Sequence, residues 1–289
     1  FNSAYIRMAT LSGIIMLALN IGRASFIRHP FIALETWKFK MVYLTFFLYI
    51  LIDLLLAPSH LLEHIYIKTI LGYDALNVVS LNWMVLAGIV AGSFFAYQTF
   101  ALRKWPYKSI TVIAFSTIVL YLILFYFIID QHLPKESLML PLFLRGFGYV
   151  IIAICFITAL VRVPFQYFFQ AVSIQAFVSA GFGSVLGTAL LGQALKITVK
   201  KNTMLLGTTL DHVNPLAQQL SFSELYETLQ QQALMVSMKE LYGWLSLIGI
   251  ACLLIFIITE SSIRPKQVLH PTYKAIRRLI KREMGTKTE

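Results

Sequence analysis

The sequence predicts an all-α protein that crosses a membrane several times. Hydrophobic residues make up 58% of the 289 residues and charged residues only 13%, whereas soluble domains carry about 25% charged residues. The apolar residues gather in long runs, and about 20 residues of helix cross the hydrocarbon layer, which is roughly 30 Å thick. We therefore expect most of the chain to face lipid or other apolar helices. No disulfide is expected, because Cys155 and Cys252 both lie inside such runs.

Seven runs are long and apolar enough to be predicted as membrane spans. In chain order they are about Ala4–Phe26, Met41–Ala57, Leu81–Phe100, Ser109–Ile129, Leu138–Val161, Gln166–Leu195 and Met238–Thr259. The first run is the least regular, because Arg7 and Arg23 lie within it. Both arginines are close enough to an end of the run for their side chains to reach water.

The distribution of Lys and Arg predicts the orientation of these spans. Basic residues gather after the first, third and fifth spans and in the C-terminal tail, and such basic segments stay in the cytoplasm. We therefore expect an integral protein of a bacterial inner membrane, with the N-terminus of this chain outside and its C-terminus in the cytoplasm. Exceptions to the rule lie on the predicted outer side: Lys196, Lys200 and Lys201.

The long connection before the last span is predicted to form an outer loop at about residues 196–237. Ser221 and Glu224 have the spacing of a capping box, which predicts a helix that runs from there into the last span. Residues 261–289 are predicted to be a basic cytoplasmic tail. A short amphipathic helix after Pro271 would place it on the anionic inner leaflet, and a frayed charged tail is the alternative.

Small residues recur at helical spacing in the third, fifth and sixth spans. In lipid, helices pack where small side chains let two backbones approach closely. The pattern predicts tight helix contacts, which are either static or a surface that slides during a conformational change. The candidate packing and gating residues are Gly146, Gly148, Ser179, Gly183, Gly187, Gly88 and Gly92.

Polar side chains inside the spans are the candidate substrate or coupling residues: Arg145, Asp53, Gln175 and Gln170. A buried arginine costs about 2.5–3.5 kcal/mol on insertion scales, so Arg145 is expected to face the bundle interior and to have partners there. It would either fix the structure or take part in binding or proton coupling. Asp53 is interpreted as the only carboxylate well inside a span, and it is either a protonation site or a residue wetted from outside. Gln175, the deepest of the glutamines, is expected to line a cavity.

His60, Glu63 and His64 spell H-x-x-E-H, a motif of zinc peptidases. On a helix both histidines would share one face, as a zinc site requires. The motif lies at the predicted outer membrane edge, however, and the sequence indicates no third ligand. We interpret it as a chance match at a hydrated helix end, and we expect no metal, no cofactor and no catalytic residue.

Short motifs carry a resemblance to a known family. LRGFG (Leu144–Gly148), followed by AGFGSVLGTALLGQAL (Ala180–Leu195), resembles the late helices of the fourteen-helix drug:proton antiporters, the EmrB/QacA-type branch of the major facilitator superfamily. Three further segments resemble that family in the same order: HPFIALETWKFK (His29–Lys40), LGYDAL (Leu71–Leu76) and QQQALMVSMKELYGW (Gln230–Trp244). One departure is ALRKWPYK at residues 101–108, which keeps the cations of a family loop motif but has no Asp.

The resemblance implies a C-terminal six-helix transporter bundle over residues 38–260. A linker transmembrane helix and its cytoplasmic connection would precede it at residues 1–37. The chain begins at Phe1, without an initiator Met, and is expected to lack the N-terminal half of the transporter. The implied activity is proton-coupled export of amphipathic compounds, with lipid, a small-molecule substrate and protons as partners and no nucleic acid.

Two alternatives remain at this stage. A seven-helix receptor fits the predicted number of spans and their orientation, but the chain has neither an outer cysteine pair nor, in the interior of its last span, a lysine for retinal attachment. A membrane-embedded metalloenzyme would have to use His60, Glu63 and His64.

Overall fold

The computed structural model describes residues 4–26, 36–37, 39–161, 163–208 and 221–258. Over these residues the chain forms helices joined by short connections, without a β-strand. Five helical segments are long and apolar enough to cross a membrane: Val42–Ile70, Ala75–Leu102, Tyr107–Ile128, Lys135–Leu160 and Ser223–Ile258. The chain is therefore an all-α integral membrane protein, as predicted, whereas the predicted count of seven spans is not confirmed.

The helices follow one another along the chain with few residues between them. They are α1 (Ala4–Phe26), α2 (Lys40–His60), α3 (Leu62–Ile65), α4 (Ala75–Ala96), α5 (Tyr107–Ile128), α6 (Lys135–Leu160), α7 (Phe165–Phe177), α8 (Ser184–Thr208) and α9 (Phe222–Ile258). Three π-helical segments extend or join them: Tyr66–Ile70 after α3, Tyr97–Leu102 after α4 and Val178–Gly183 between α7 and α8. Helix α1 was predicted to be the linker span, and its described side chains are all exposed.

Prolines and residues with a left-handed backbone conformation lie at the helix boundaries. Pro106, Pro134 and Pro164 each stand immediately before a helix, with ψ near 142°. A proline is tolerated there because the first N–H groups of a helix have no acceptor within the helix. The turns before α4 and α5 contain Gly72 and Lys104, with φ of 63° and 55°.

Helix α5 packs between α6 and α9. Its buried residues recur every three or four positions, including Ile110, Ile118 and Phe125. Phe125 stacks on Tyr242 of α9, with ring centroids 5.2 Å apart. The outer faces carry exposed apolar side chains such as Trp83 and Phe94. A soluble protein rarely exposes so much apolar surface. Exposed apolar side chains of this kind suit a bundle that is surrounded by lipid.

Glycines bring α4 and α6 into direct backbone contact. A Cβ atom added at Gly88 would overlap the carbonyl oxygen of Phe143, and one at Gly92 would lie 2.6 Å from Val150 Cγ1. From the opposite side, a Cβ atom at Gly146 would overlap the carbonyl oxygen of Val85. One at Gly148 of α6 would lie 2.5 Å from Thr117 Oγ1 of α5. No other residue fits these positions without moving a helix.

The segment predicted as an outer loop, residues 196–237, is helical at both ends, and of these two helical parts only the one that starts near Ser221 was predicted. Helix α8 continues to Thr208, and α9 begins at Phe222. Polar pairs hold the two extensions together: Asn202 Nδ2 donates to Ser237 Oγ over 2.9 Å, and Lys201 Nζ lies 3.3 Å from Glu240 Oε1.

The capping box at the start of α9 is confirmed. The Ser221 N–H donates to Glu224 Oε2 over 3.0 Å, and the Glu224 N–H lies 3.4 Å from Ser221 Oγ. Several predictions fall outside the part of the chain that the structure describes: the basic tail at 261–289, the turn residue Arg162, and most of the motif at 29–40.

Candidate functional site

The second apolar segment was predicted to end at Ala57, but it continues to Ile70. Pro58 lies inside α2 and removes one backbone donor, and the helix breaks at Leu61 and resumes as α3. The π-helical segment that follows carries Tyr66, whose hydroxyl donates to the carbonyl oxygen of Asp130 over 2.7 Å and accepts from its N–H over 3.0 Å. This clamp fixes α3 against the end of α5.

Glu63 lies just after this break and is buried in the bundle. The sequence placed this residue on a hydrated connection, but it is only 4% exposed. Its Oε2 atom forms an ion pair with Nη1 of Arg145, and its Oε1 atom accepts a hydrogen bond from the Tyr121 hydroxyl. Asp53 was predicted to be the only carboxylate well inside a span, and the burial of Glu63 shows that this prediction is wrong. Both oxygens of Glu63 have partners, which a buried ion pair needs in order to offset its loss of water.

Residues from several helices surround this ion pair. Arg145 lies on α6, Tyr121 lies on α5 and is fully buried, and Tyr242 of α9 is buried beside Tyr121. The cluster of Glu63, Arg145, Tyr121 and Tyr242, which we call the ion-pair cluster, joins α3, α5, α6 and α9.

The three residues of the H-x-x-E-H motif do not converge. Glu63 points into the bundle, whereas His60 and His64 are exposed. The carboxylate of Glu63 is also engaged by Arg145 and Tyr121. Among the residues that the structure describes, no three His, Cys, Asp or Glu side chains are arranged to hold a metal ion.

A cavity of about 330 Å³ lies next to the ion-pair cluster, between α2, α4, α6 and the segment from Ser179 to Ser184. Its polar lining includes Asp53, His60, Arg145, Tyr149 and Ser179, and its apolar lining includes Leu56, Val85 and Ile89. The structure thus brings two of the predicted site residues, Asp53 and Arg145, into one cavity together with the predicted packing residues Ser179 and Gly146.

Asp53 is the charged residue of this cavity that has no charged partner among the described residues. It is 8% exposed, Ser179 hydrogen-bonds to its side chain, and its Oδ2 atom has no hydrogen-bond partner in the described chain. A Cβ atom at Gly183 would overlap the Asp53 carboxylate, and one at Gly187 would lie 3.0 Å from the Cβ atom of Ala57. The stripe of small residues therefore packs on α2, directly against Asp53.

The two glutamines occupy different places. Gln175 is 8% exposed and hydrogen-bonds to Tyr49 of α2, and its Oε1 atom has no partner among the described residues. It lies one helical turn before Ser179, beside the cavity and not in its lining. Gln170 accepts a hydrogen bond from Thr36 over 2.9 Å, so the structure does not bring it to Asp53.

The sequence contained a signal for Glu63 that our interpretation missed. Tyr66 and Ile67 follow Glu63 by three and four residues, so an uninterrupted helix places Glu63 on an apolar face. Tyr121 gave no comparable signal, because a tyrosine in an apolar run is ordinary core or interface material.

Comparison with known proteins does not assign the chain to a family. No family model matches the sequence, and no curated protein matches it significantly. The motifs around Arg145 and Gly183 therefore remain the basis of the resemblance to the drug:proton antiporters.

Proposed function

We propose that this chain is the C-terminal half of a membrane transporter of the major facilitator kind, which exports amphipathic compounds in exchange for protons. The observation that carries the proposal is the cavity inside the bundle. It holds Asp53, a buried carboxylate that has no charged partner in the described part of the chain and lies where α2 contacts Gly183 and Gly187.

Ionisable groups inside a membrane are expensive to bury, and where they occur they mark substrate or ion paths. The cavity wall combines Asp53 with apolar side chains such as Leu56 and Ile89, a combination that suits a molecule with one polar and one apolar part. Asp53 can take up a proton from one side of the membrane and release it to the other. Proton exchange at this carboxyl is the coupling step that we propose.

The proposed motion is a rocking of this bundle against an N-terminal bundle around a site near the membrane midplane. The backbone contacts of Gly88 and Gly146 make α4 and α6 one rigid unit, as such a motion requires. We place the protein in a bacterial inner membrane, with its basic connections and the C-terminus in the cytoplasm.

The test is transport by the full-length protein in everted membrane vesicles, with a fluorescent amphipathic dye and an imposed pH gradient. We expect Asp53→Asn to lower the initial rate by about tenfold or more, because the exchangeable proton is lost. Asp74→Asn is the matched control, since Asp74 is exposed and its side chain does not cap α4. Transport by Asp53→Asn at the rate of Asp74→Asn would refute the proposal.

A further inference from the structure

Two opposite charges line the same cavity without pairing with each other. Asp53 and Arg145 both contribute to the cavity wall. Arg145 pairs instead with Glu63, and the Asp53 Oδ2 atom has no hydrogen-bond partner in the described residues. In an apolar interior, opposite charges attract each other much more strongly than in water.

Glu63 is the carboxylate that holds Arg145. Asp53 and Glu63 are ten residues apart, which is about 15 Å along a helix, and Arg145 reaches the Glu63 end, where its charge also acts on His60. Tyr121 binds the second oxygen of Glu63, and the clamp between Tyr66 and Asp130 fixes the segment that carries Glu63. The carboxylate that competes with Asp53 for Arg145 is thus rigidly mounted.

We propose that Glu63 is a positioning residue that holds the Arg145 guanidinium away from Asp53 and so keeps the Asp53 carboxyl free inside the cavity. Without Glu63, Arg145 turns to Asp53, and the new ion pair fills the cavity and removes the free carboxyl. The consequence for transport rests on the proposed function, whereas the competition between the two carboxylates does not.

The test is chemical modification of the full-length protein in detergent with dicyclohexylcarbodiimide, read at Asp53 by mass spectrometry. This reagent modifies a carboxylic acid in an apolar site, but not a carboxylate held in an ion pair. We expect labelling of Asp53 in the wild type and its loss in Glu63→Gln to the background of Asp53→Asn. In the double variant Glu63→Gln/Arg145→Gln, labelling returns to the wild-type level, since no guanidinium is left to pair with Asp53.

Three results would overturn the inference: an unlabelled Asp53 in the wild type, undiminished labelling in Glu63→Gln, or no recovery in the double variant. Arg145→Gln gives a separate test if Glu63→Gln does not fold. Its labelling of Asp53 should equal that of the wild type, and a severalfold rise would show that Arg145 already pairs with Asp53.

Transport measurements on the same proteins separate this inference from the proposed function. We expect the double variant to transport faster than Glu63→Gln, a recovery that a merely structural ion pair would not produce. If labelling follows the expected pattern while the wild type transports no dye, the proposed function fails and the inference stands. If the wild type transports dye and Asp53 is labelled equally in the wild type and in Glu63→Gln, only the inference fails.

Discussion

At the scale of single residues, the ion-pair cluster shows how a charge is accommodated inside an apolar bundle. Glu63 has a cation on one oxygen and the Tyr121 hydroxyl on the other. A hydrogen bond to a buried charged group stabilises a protein by about 1.5–3 kcal/mol. Tyr121 therefore contributes to stability through its hydroxyl as well as through its ring.

Tyr121→Phe should lower the free energy of unfolding by about 1.5–3 kcal/mol, because Glu63 Oε1 loses its donor while the ring still fills its place. The measurement is denaturant or thermal unfolding of the protein in detergent. Tyr126→Phe is the matched control on the same helix, because Tyr126 is exposed. Equal stability of the two variants would mean that the hydroxyl contributes nothing.

The sequence predicted that Arg145 needs a partner, but not which residue that partner is. Glu63 lies 82 positions away along the chain. Its pairing depends on how the segment that carries Glu63, which the Tyr66–Asp130 clamp fixes, packs against α6. Such a long-range contact depends on how several helices pack, and no local pattern encodes it.

At the scale of helices, the π-helical segment Val178–Gly183 shapes the site. A π-helical segment inserts an extra residue into a helix and is frequent at functional positions. Here it separates α7 from α8 and sets Gly183 directly against the Asp53 carboxylate. The position tolerates only a hydrogen atom as its side chain.

Gly183→Ala should lower the transport rate by about ten- to a hundredfold, because the new methyl group displaces the Asp53 carboxyl from its place in the cavity. The measurement is dye transport in vesicles at matched protein levels. Gly181→Ala is the control within the same segment, since its Cβ atom would lie 3.8 Å from the Phe177 ring, an ordinary contact. The explanation is wrong if both variants transport at the same rate.

Helix boundaries were predicted well where proline or hydropathy marks them and poorly where polar residues continue a helix. Pro106, Pro134 and Pro164 fix three starts within a few residues. The capping box marked the start of α9, but the end of α8 contains residues such as Asn202 that resemble a loop by hydropathy. They remain helical because each helix pairs its polar side chains with those of the other.

At the scale of the whole molecule, successive connections between the helices lie alternately at the two ends of the bundle. The connections at residues 71–74 and 129–134 lie at one end of the bundle, since the Tyr66 hydroxyl binds Asp130. The connection at 103–106 and the described end of α9 lie at the other, since Lys108 Nζ donates to the carbonyl oxygen of Ile257 over 2.6 Å. The sequence predicted this alternation from the charges of the connections. It could not predict which apolar runs pack into the bundle, and α1 shows the difficulty, because its described side chains remain exposed.

Cysteine labelling in intact cells should reveal the orientation. With Cys155 and Cys252 replaced by alanine, we expect His132→Cys to react with a membrane-impermeant maleimide, because the positive-inside rule places that connection outside. Arg103→Cys should react only after the membrane is permeabilised. Both side chains are exposed, so their reactivity reports on the side of the membrane. The reverse pattern would invert the proposed orientation.

The length of α9 has a practical consequence. Its 37 residues make a rod of about 55 Å at 1.5 Å per residue, and the hydrocarbon layer is only about 30 Å thick. A large part of this rod, braced by α8 through Asn202 and Lys201, therefore stands clear of the bilayer. This part of α9 is a suitable epitope for an antibody fragment. A bound fragment would add a rigid feature outside the detergent micelle, and that feature would help to align particle images in electron microscopy.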